Sequence, residues 1–250
     1  MTLKKKVKNI LRDYHKFNNI KNAFYKFNNY FPITIIDFCG KNNSYNEKYI
    51  DFTPCEYWGR KEKDSVINKV FNYYNNYFRQ NKLNQKDKIS TQQLFKSFKR
   101  SSNLQELKNI IEEILSDKDF LKLEWPIVPV HGDLGFHNIL LAESQLYFID
   151  WEDWGKHILF YDLLNMMFFE YAFHGDNTYI KKFIRGHYDE EFESIFKVMD
   201  IKYKHNMKMK YFTLFLVERM LSEKKMNADH LPRMHNLCLE CIKELVRLQN

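Results

Sequence analysis

Residues His131–Asp153 read HGDLGFHNILLAESQLYFIDWED, and the fold follows from how this stretch turns. Ile139-Leu140-Leu141 and Leu146-Tyr147-Phe148-Ile149 are short apolar runs, and the polar Ala142-Glu143-Ser144-Gln145 stands between them. That composition predicts a β-hairpin. A hairpin brings its two open ends side by side, so Asn138, just before the first run, and Asp150, just after the second, are predicted to be neighbours. Asp133 precedes Asn138 in a D-x-x-x-x-N interval. On a tight loop that interval turns both side chains into one cleft. Asp150, at the end of an apolar run, reads as a buried acid.

Three oxygen-bearing side chains are thus expected to converge. Asp133 can accept, and above all aim, the proton of an attacking hydroxyl. Asn138 offers a neutral carbonyl oxygen and Asp150 a charged one, the hard ligands that Mg2+ prefers when phosphates complete its shell. His131 reads as a residue that orders the loop by hydrogen bonding. A lone D-x-x-x-x-N is common and says little. Its combination with His131, Leu134, a hairpin and a terminal acid is much rarer.

The first eight residues fit H-x-D-L-x-x-x-N, the protein-kinase catalytic loop with Gly132 in place of arginine. Together with Ile149-Asp150-Trp151-Glu152 and Tyr161-Asp162-Leu163-Leu164, they resemble the aminoglycoside phosphotransferase and choline kinase superfamily. The resemblance implies an α+β, protein-kinase-like fold, with a reduced β N-lobe over residues 1–54 and a mainly helical C-lobe over 55–250. It implies Asp133 as catalytic base, Asn138 and Asp150 as holders of Mg2+ and so of ATP or another nucleoside triphosphate, and Asp162 as a brace of the catalytic loop. The activity implied is phosphoryl transfer to a hydroxyl of a small molecule.

The start of the chain departs from that pattern. The first glycine is Gly40, so no glycine-rich loop precedes it. Residues 3–29 read instead as helix, from Val7, Ile10, Leu11, Tyr14 and Phe17 at 3–4 spacing. Asp13 on that helix resembles the acid that pairs with the family's strand lysine, and that lysine has no evident counterpart. Lys4, Lys5 and Lys6 read as a solvated basic segment. Pro32–Phe38 and Lys48–Phe52 read as strands, the second entering the interlobe hinge. The pattern therefore begins at the helix, and a catalytically weak nucleotide- or partner-binding scaffold stands as the alternative to an enzyme.

Amphipathic helices are expected over 63–80, 93–98 and 104–115, the last capped by Ser102 or Asn103, with 126–130 extended. Helices are expected at about 160–173, 177–199, 204–225 and 232–249. The net charge of +7 is spread along a chain rich in Lys, Asn, Ile, Tyr and Phe, without a nucleic-acid-binding signature. No nucleic-acid partner, transmembrane segment or signal peptide is expected, and the protein is expected in the cytoplasm. Of the four cysteines, Cys238 and Cys241 form a C-x-x-C inside a predicted helix, where they read as small buried hydrophobes. Trp151, Glu152, Asp153 and Trp154 are candidate substrate contacts, equally suited to a cationic alcohol or a sugar. The competing reading is packing for the two tryptophans and local bonding for Glu152. Aminoglycosides, choline or ethanolamine, and envelope sugars remain open as acceptors. The lack of a concentrated acidic patch favours a sugar.

Overall fold

Helix-period apolar spacing at the start of the chain, period-2 and turn signals in the middle, and long apolar helices at the end all find their elements in the computed structural model. It describes the chain except residues 1–2, 40–42, 82–86, 103, 227–230 and 250, and except the side chains of 3–13, 224–226, 231 and 248–249. In chain order the elements are α1 (Leu3–Phe27), β1 (Ile35–Cys39), β2 (Ser44–Glu47), α2 (Arg60–Gln80), β3 (Lys88–Ser90), α3 (Thr91–Ser101), α4 (Gln105–Leu115), α5 (Lys118–Lys122) and β4 (Glu124–Val130). They continue with β5 (Ile139–Ala142), β6 (Gln145–Phe148), β7 (Gly155–Ile158), α6 (Tyr161–His174), α7 (Thr178–Ile184), α8 (Asp189–Val198), α9 (Lys208–Met226) and α10 (Leu231–Gln249). The elements fall into two units, residues 1–80 with 129–156, and residues 81–128 with 157–250.

In the first unit, α1 buries Phe17, Ile20, Ala23 and Phe27, one stripe at helical spacing. Tyr14, assigned to that stripe from sequence, is half exposed, and the side chains of Val7, Ile10, Leu11 and Asp13 lie outside the described residues. The stripe meets an aromatic cluster. Phe27 stacks on Trp151 with ring centroids 4.7 Å apart, Phe31 packs edge-on to Phe148 at 5.1 Å, and α2 adds Tyr74, Tyr77 and Phe78. Rings of this size bury much area and lock through edge-to-face geometry.

The β5–β6 hairpin forms in the register Ile139↔Phe148 to Ala142↔Gln145. Its two-residue turn places both Glu143 (φ 48°) and Ser144 (φ 72°) at positive φ, which suits the twist of a tight hairpin. Ile33 bridges in parallel to Phe148, and Thr53 in antiparallel to Leu141, so the segments flanking β1 and β2 are tied to the hairpin. The strand expected over Lys48–Phe52 is displaced to Ser44–Glu47, where β2 pairs with β1 through Phe38↔Tyr45. Lys48 donates its N–H to Thr34 O, after which the chain leaves the ladder and Tyr49 is 86% exposed.

The second unit is built on α9. Residues Tyr211–Met220 are all buried, the polar Thr213, Glu218 and Arg219 among them, and α9 packs against α3, α4, α6, α7 and α10. The three-stranded sheet runs in the order β3-β4-β7, with Ile89 opposite Trp125. Trp125 is buried and donates its indole N–H to Thr91 Oγ1 at 2.8 Å. The helix expected over 177–199 divides into α7 and α8 at Gly186, whose φ of +88° no other residue type adopts cheaply. Asp189 opens α8 and accepts from Tyr203, His205 and Lys208. Burial pushes its pKa up, but those bonds outweigh burial and leave it below the ordinary carboxylate value. Leu104, not Ser102, occupies the N-cap of α4, and Asn103 lies outside the described residues. Ser102 still contributes, because its Oγ accepts the Leu104 N–H at 3.3 Å. Cys238 and Cys241 are buried in α10, where burial pushes the Cys238 thiol up to about 12, so both behave as small apolar groups.

Candidate active site

The hairpin and the loop before it build the site within the first unit. His131 is fully buried. Its Nε2 lies 2.8 Å from Ile149 O, and its Nδ1 accepts the Asp133 N–H at 3.4 Å. That pattern belongs to the neutral imidazole with its proton on Nε2. The ring thus clamps the loop to the strand end that leads into Asp150. The residue after it has to be glycine. Gly132 has φ +86°, and a Cβ there would sit 2.1 Å from Asp153 O. The Asp153 backbone fills the space an arginine would need, which accounts for the exchange of arginine for glycine in the loop.

The loop then turns back on itself. Asn138 is buried, and its Nδ2 donates to Asp133 O at 2.8 Å. Its own backbone oxygen accepts the Ile149 N–H at 3.1 Å. With the amide nitrogen so committed, the carbonyl oxygen Oδ1 is the atom left to face a cation. Asp133 is half-buried. Asp150 occupies the left-handed region (φ 58°, ψ 56°) at the head of a short 3-10 turn, Trp151–Asp153. The strand has already ended, so Asp150 is exposed rather than buried as its apolar prelude suggested. A non-glycine residue in that conformation is strained, and aspartate is among the few that tolerate it. Tyr45 of β2 lies close enough to feel the charge: burial, then Glu47 and Asp150, hold its hydroxyl above the ordinary value.

The four residues after Asp150 divide between packing and local bonds. Trp151 is buried against Phe27 and donates its indole N–H to Phe148 O at 3.0 Å. Glu152 forms an ion pair with Lys16 of α1. Asn19 Nδ2 donates to Glu152 O at 3.2 Å, and Trp154 Nε1 donates to Asn19 O at 2.8 Å. Asp153, half-buried, lays its carbonyl over Gly132. Asp162 is buried in the first turn of α6, in the second unit. Asp13 lies within the helical span of α1, and its side chain is outside the described residues.

Residues 75–195 match the family described as APH, the phosphotransferase enzyme family. That stretch, just under half of the chain, is similar to the aminoglycoside phosphotransferase family and contains the loop and hairpin of residues 131–150. The chain's α+β architecture, with small sheets and a largely helical remainder, fits the kinase-like fold of that family. Among solved structures, an amicoumacin kinase in complex with AMP-PNP, Ca2+ and Ami is similar, with 10% identity and a TM-score of 0.45 over 90% of this chain and 76% of that one. No curated protein matches the sequence.

Kinase-like phosphotransferases use a divalent cation, and the donor set here fits one. Among the described residues no group of three His, Cys, Asp or Glu is placed to hold a metal. Asn138 and Asp150 flank the two strands of the β5–β6 hairpin, and an amide oxygen and a carboxylate are hard-oxygen donors of the kind a divalent cation takes when phosphates supply the rest of its shell. Among the described residues a thiolate- or imidazole-loving metal finds no such set. Sequence reading missed Lys16 and Asn19. Both reach the site across more than half the chain, and no local motif marks such long-range contacts.

Proposed function

We propose that this phosphotransferase moves the γ-phosphoryl group of ATP, or of another nucleoside triphosphate, to a hydroxyl of a small molecule in the cytoplasm. The observation that supports this most is the double tie of Asn138: its amide to Asp133 O and its backbone oxygen to the Ile149 N–H. Those bonds hold the proposed base and the two proposed metal ligands in one short stretch of backbone. Asp133 orients the acceptor hydroxyl and takes its proton as the oxygen attacks the γ-phosphorus. The bond to the β–γ bridging oxygen breaks, and the nucleoside diphosphate leaves with that electron pair. Asn138 Oδ1 and the Asp150 carboxylate hold Mg2+, which when bound offsets negative charge on the phosphate oxygens. His131 keeps the loop in register through its two ring nitrogens. Asp162, buried at the start of α6, keeps the bracing role that the resemblance implies for it, with residues 1–54 as the small lobe and 55–250 as the larger one.

A sugar-sized alcohol suits the surroundings best. Trp151 is taken up by the core, and the sequence has no concentrated acidic patch to mark a polycation site. The test is γ-labelled ATP with Mg2+ and a panel of sugars, amino alcohols and aminoglycosides. Asp133→Ala is expected to cut turnover about 100-fold or more while Mg·ATP binding stays close to wild type. Asp150→Ala is expected to weaken the Mg2+-dependent part of ATP binding. Wild-type binding without turnover on any acceptor would favour the scaffold reading, and turnover that survives Asp133→Ala would remove the base.

A further inference from the structure

One face of α1 is given over to the segment that carries Asp150. Lys16, Asn19, Ala23 and Lys26 recur at 3–4 spacing, which puts them in one row. Lys16 pairs with Glu152, Asn19 bonds Glu152 and Trp154, Ala23 is fully buried, and Lys26 lies over the Trp154 ring at 5.9 Å. Glu152 belongs to the same short turn that Asp150 heads. The other side of α1 closes the circuit. Phe17, next to Lys16, packs edge-on against Phe38 at 5.8 Å, and Phe38 is the cross-strand partner of Tyr45. Tyr45 in turn feels the charge of Asp150. Lys16 therefore stands at the rim of the Asp150 turn, where Glu152 holds it.

The charge balance there asks for a cation. Asp133, Asp150, Glu152 and Asp153 all lie on one stretch, and a triphosphate brings several more negative charges to it. Like charges at that range repel unless a cation comes between them. The Lys16 side chain is 51% exposed, so its pairing with Glu152 contributes little to stability, and exchanging one oxyanion for another costs little. We propose that Lys16 is a phosphate-binding residue: when a nucleoside triphosphate binds, its ammonium moves from Glu152 to a phosphate oxygen. Glu152 is its resting partner, and Asn19 fixes the helix so that the lysine reaches. The assignment rests on the nucleotide-dependent reading above.

Equilibrium binding of Mg·ATP and of adenosine to wild type, Lys16→Met, Lys16→Arg and Glu152→Gln tests it. Lys16→Met is expected to weaken Mg·ATP about tenfold, as loss of one charge-assisted hydrogen bond does, and to leave adenosine unchanged. Lys16→Arg is expected to restore most of the loss. Glu152→Gln, which releases the lysine, is expected to bind Mg·ATP at least as tightly as wild type. Equal weakening of ATP and adenosine would mark a structural role and overturn the assignment, as would unaltered ATP binding by Lys16→Met. A wild-type protein that binds no Mg·ATP would sink the phosphotransfer reading and this assignment with it. Wild-type binding that ignores Lys16 would sink the assignment alone.

Discussion

A single missing side chain decides whether the loop of residues 131–138 can close. Gly132 combines a left-handed φ with a backbone carbonyl where its Cβ would be. Either condition alone costs of order 1–3 kcal/mol for another residue. Together they cannot be relieved by a rotamer change, because the clashing atom is the Asp153 backbone oxygen. Gly132→Ala is therefore expected to lower stability by about 3 kcal/mol in urea denaturation, and to move the Asp153 carbonyl away from the loop. A variant as stable as wild type would mean that the backbone of 131–133 does not need its left-handed turn. The adjacent His131 works in the opposite sense, since its side chain does what the glycine's absence of one permits. It ties the loop to Ile149 O and so to the residue before Asp150.

At the scale of elements, local chemistry and long-range pairing contribute separately. The α3 helix starts with a reciprocal capping box: Gln93 N–H donates to Ser90 Oγ at 3.1 Å, and Ser90 N–H donates to Gln93 Oε1 at 2.9 Å. Ser90→Ala is expected to cost about 1 kcal/mol, read as a shift in the urea midpoint without a change in slope. An unmoved midpoint would show that packing of α3 on α9 alone sets the helix start. Elements with a strong local pattern were the ones legible from sequence. The β5–β6 hairpin was readable from two apolar runs and a polar turn, α2 from its stripe, and α9 and α10 from length and apolar content. The three-residue β3 and the four-residue β7 were not, because so short a strand carries no alternation and exists only through its partners in the sheet. β2 fell at Ser44–Glu47 and not at Lys48–Phe52 for the same reason: pairing with β1 sets its register, while its own polar SYNE carries no strand pattern. In the site, the motif residues 131–150 could be read together because they are contiguous, whereas Lys16 and Asn19 arrive by a helix docking that only the folded chain reveals.

For the molecule as a whole, the response to pH tests whether its helical part is held by apolar packing or by charge. His235 sits in α10 against the Phe98 ring of α3, at 6.3 Å between centroids. It is 6% exposed, and its Nε2 has no hydrogen-bond partner among the described residues. Burial disfavours the imidazolium, so its pKa is lowered from the ordinary 6.5. The unfolded chain then takes up a proton at a higher pH than the folded one. The contribution of His235 is complete above pH 6.5 and drains away as the pH falls from there toward the lowered folded value. Other groups titrate in the same range, so the wild-type curve alone does not assign the effect. The comparison that does is His235→Leu, which keeps an apolar side chain against Phe98 and removes the proton. Wild type is expected to lose Tm steadily as the pH falls from 6.5 to 5.5, and His235→Leu to lose distinctly less over the same interval. Parallel curves for the two proteins would show that protonating His235 costs the fold nothing, and that this contact between α3 and α10 is open to water.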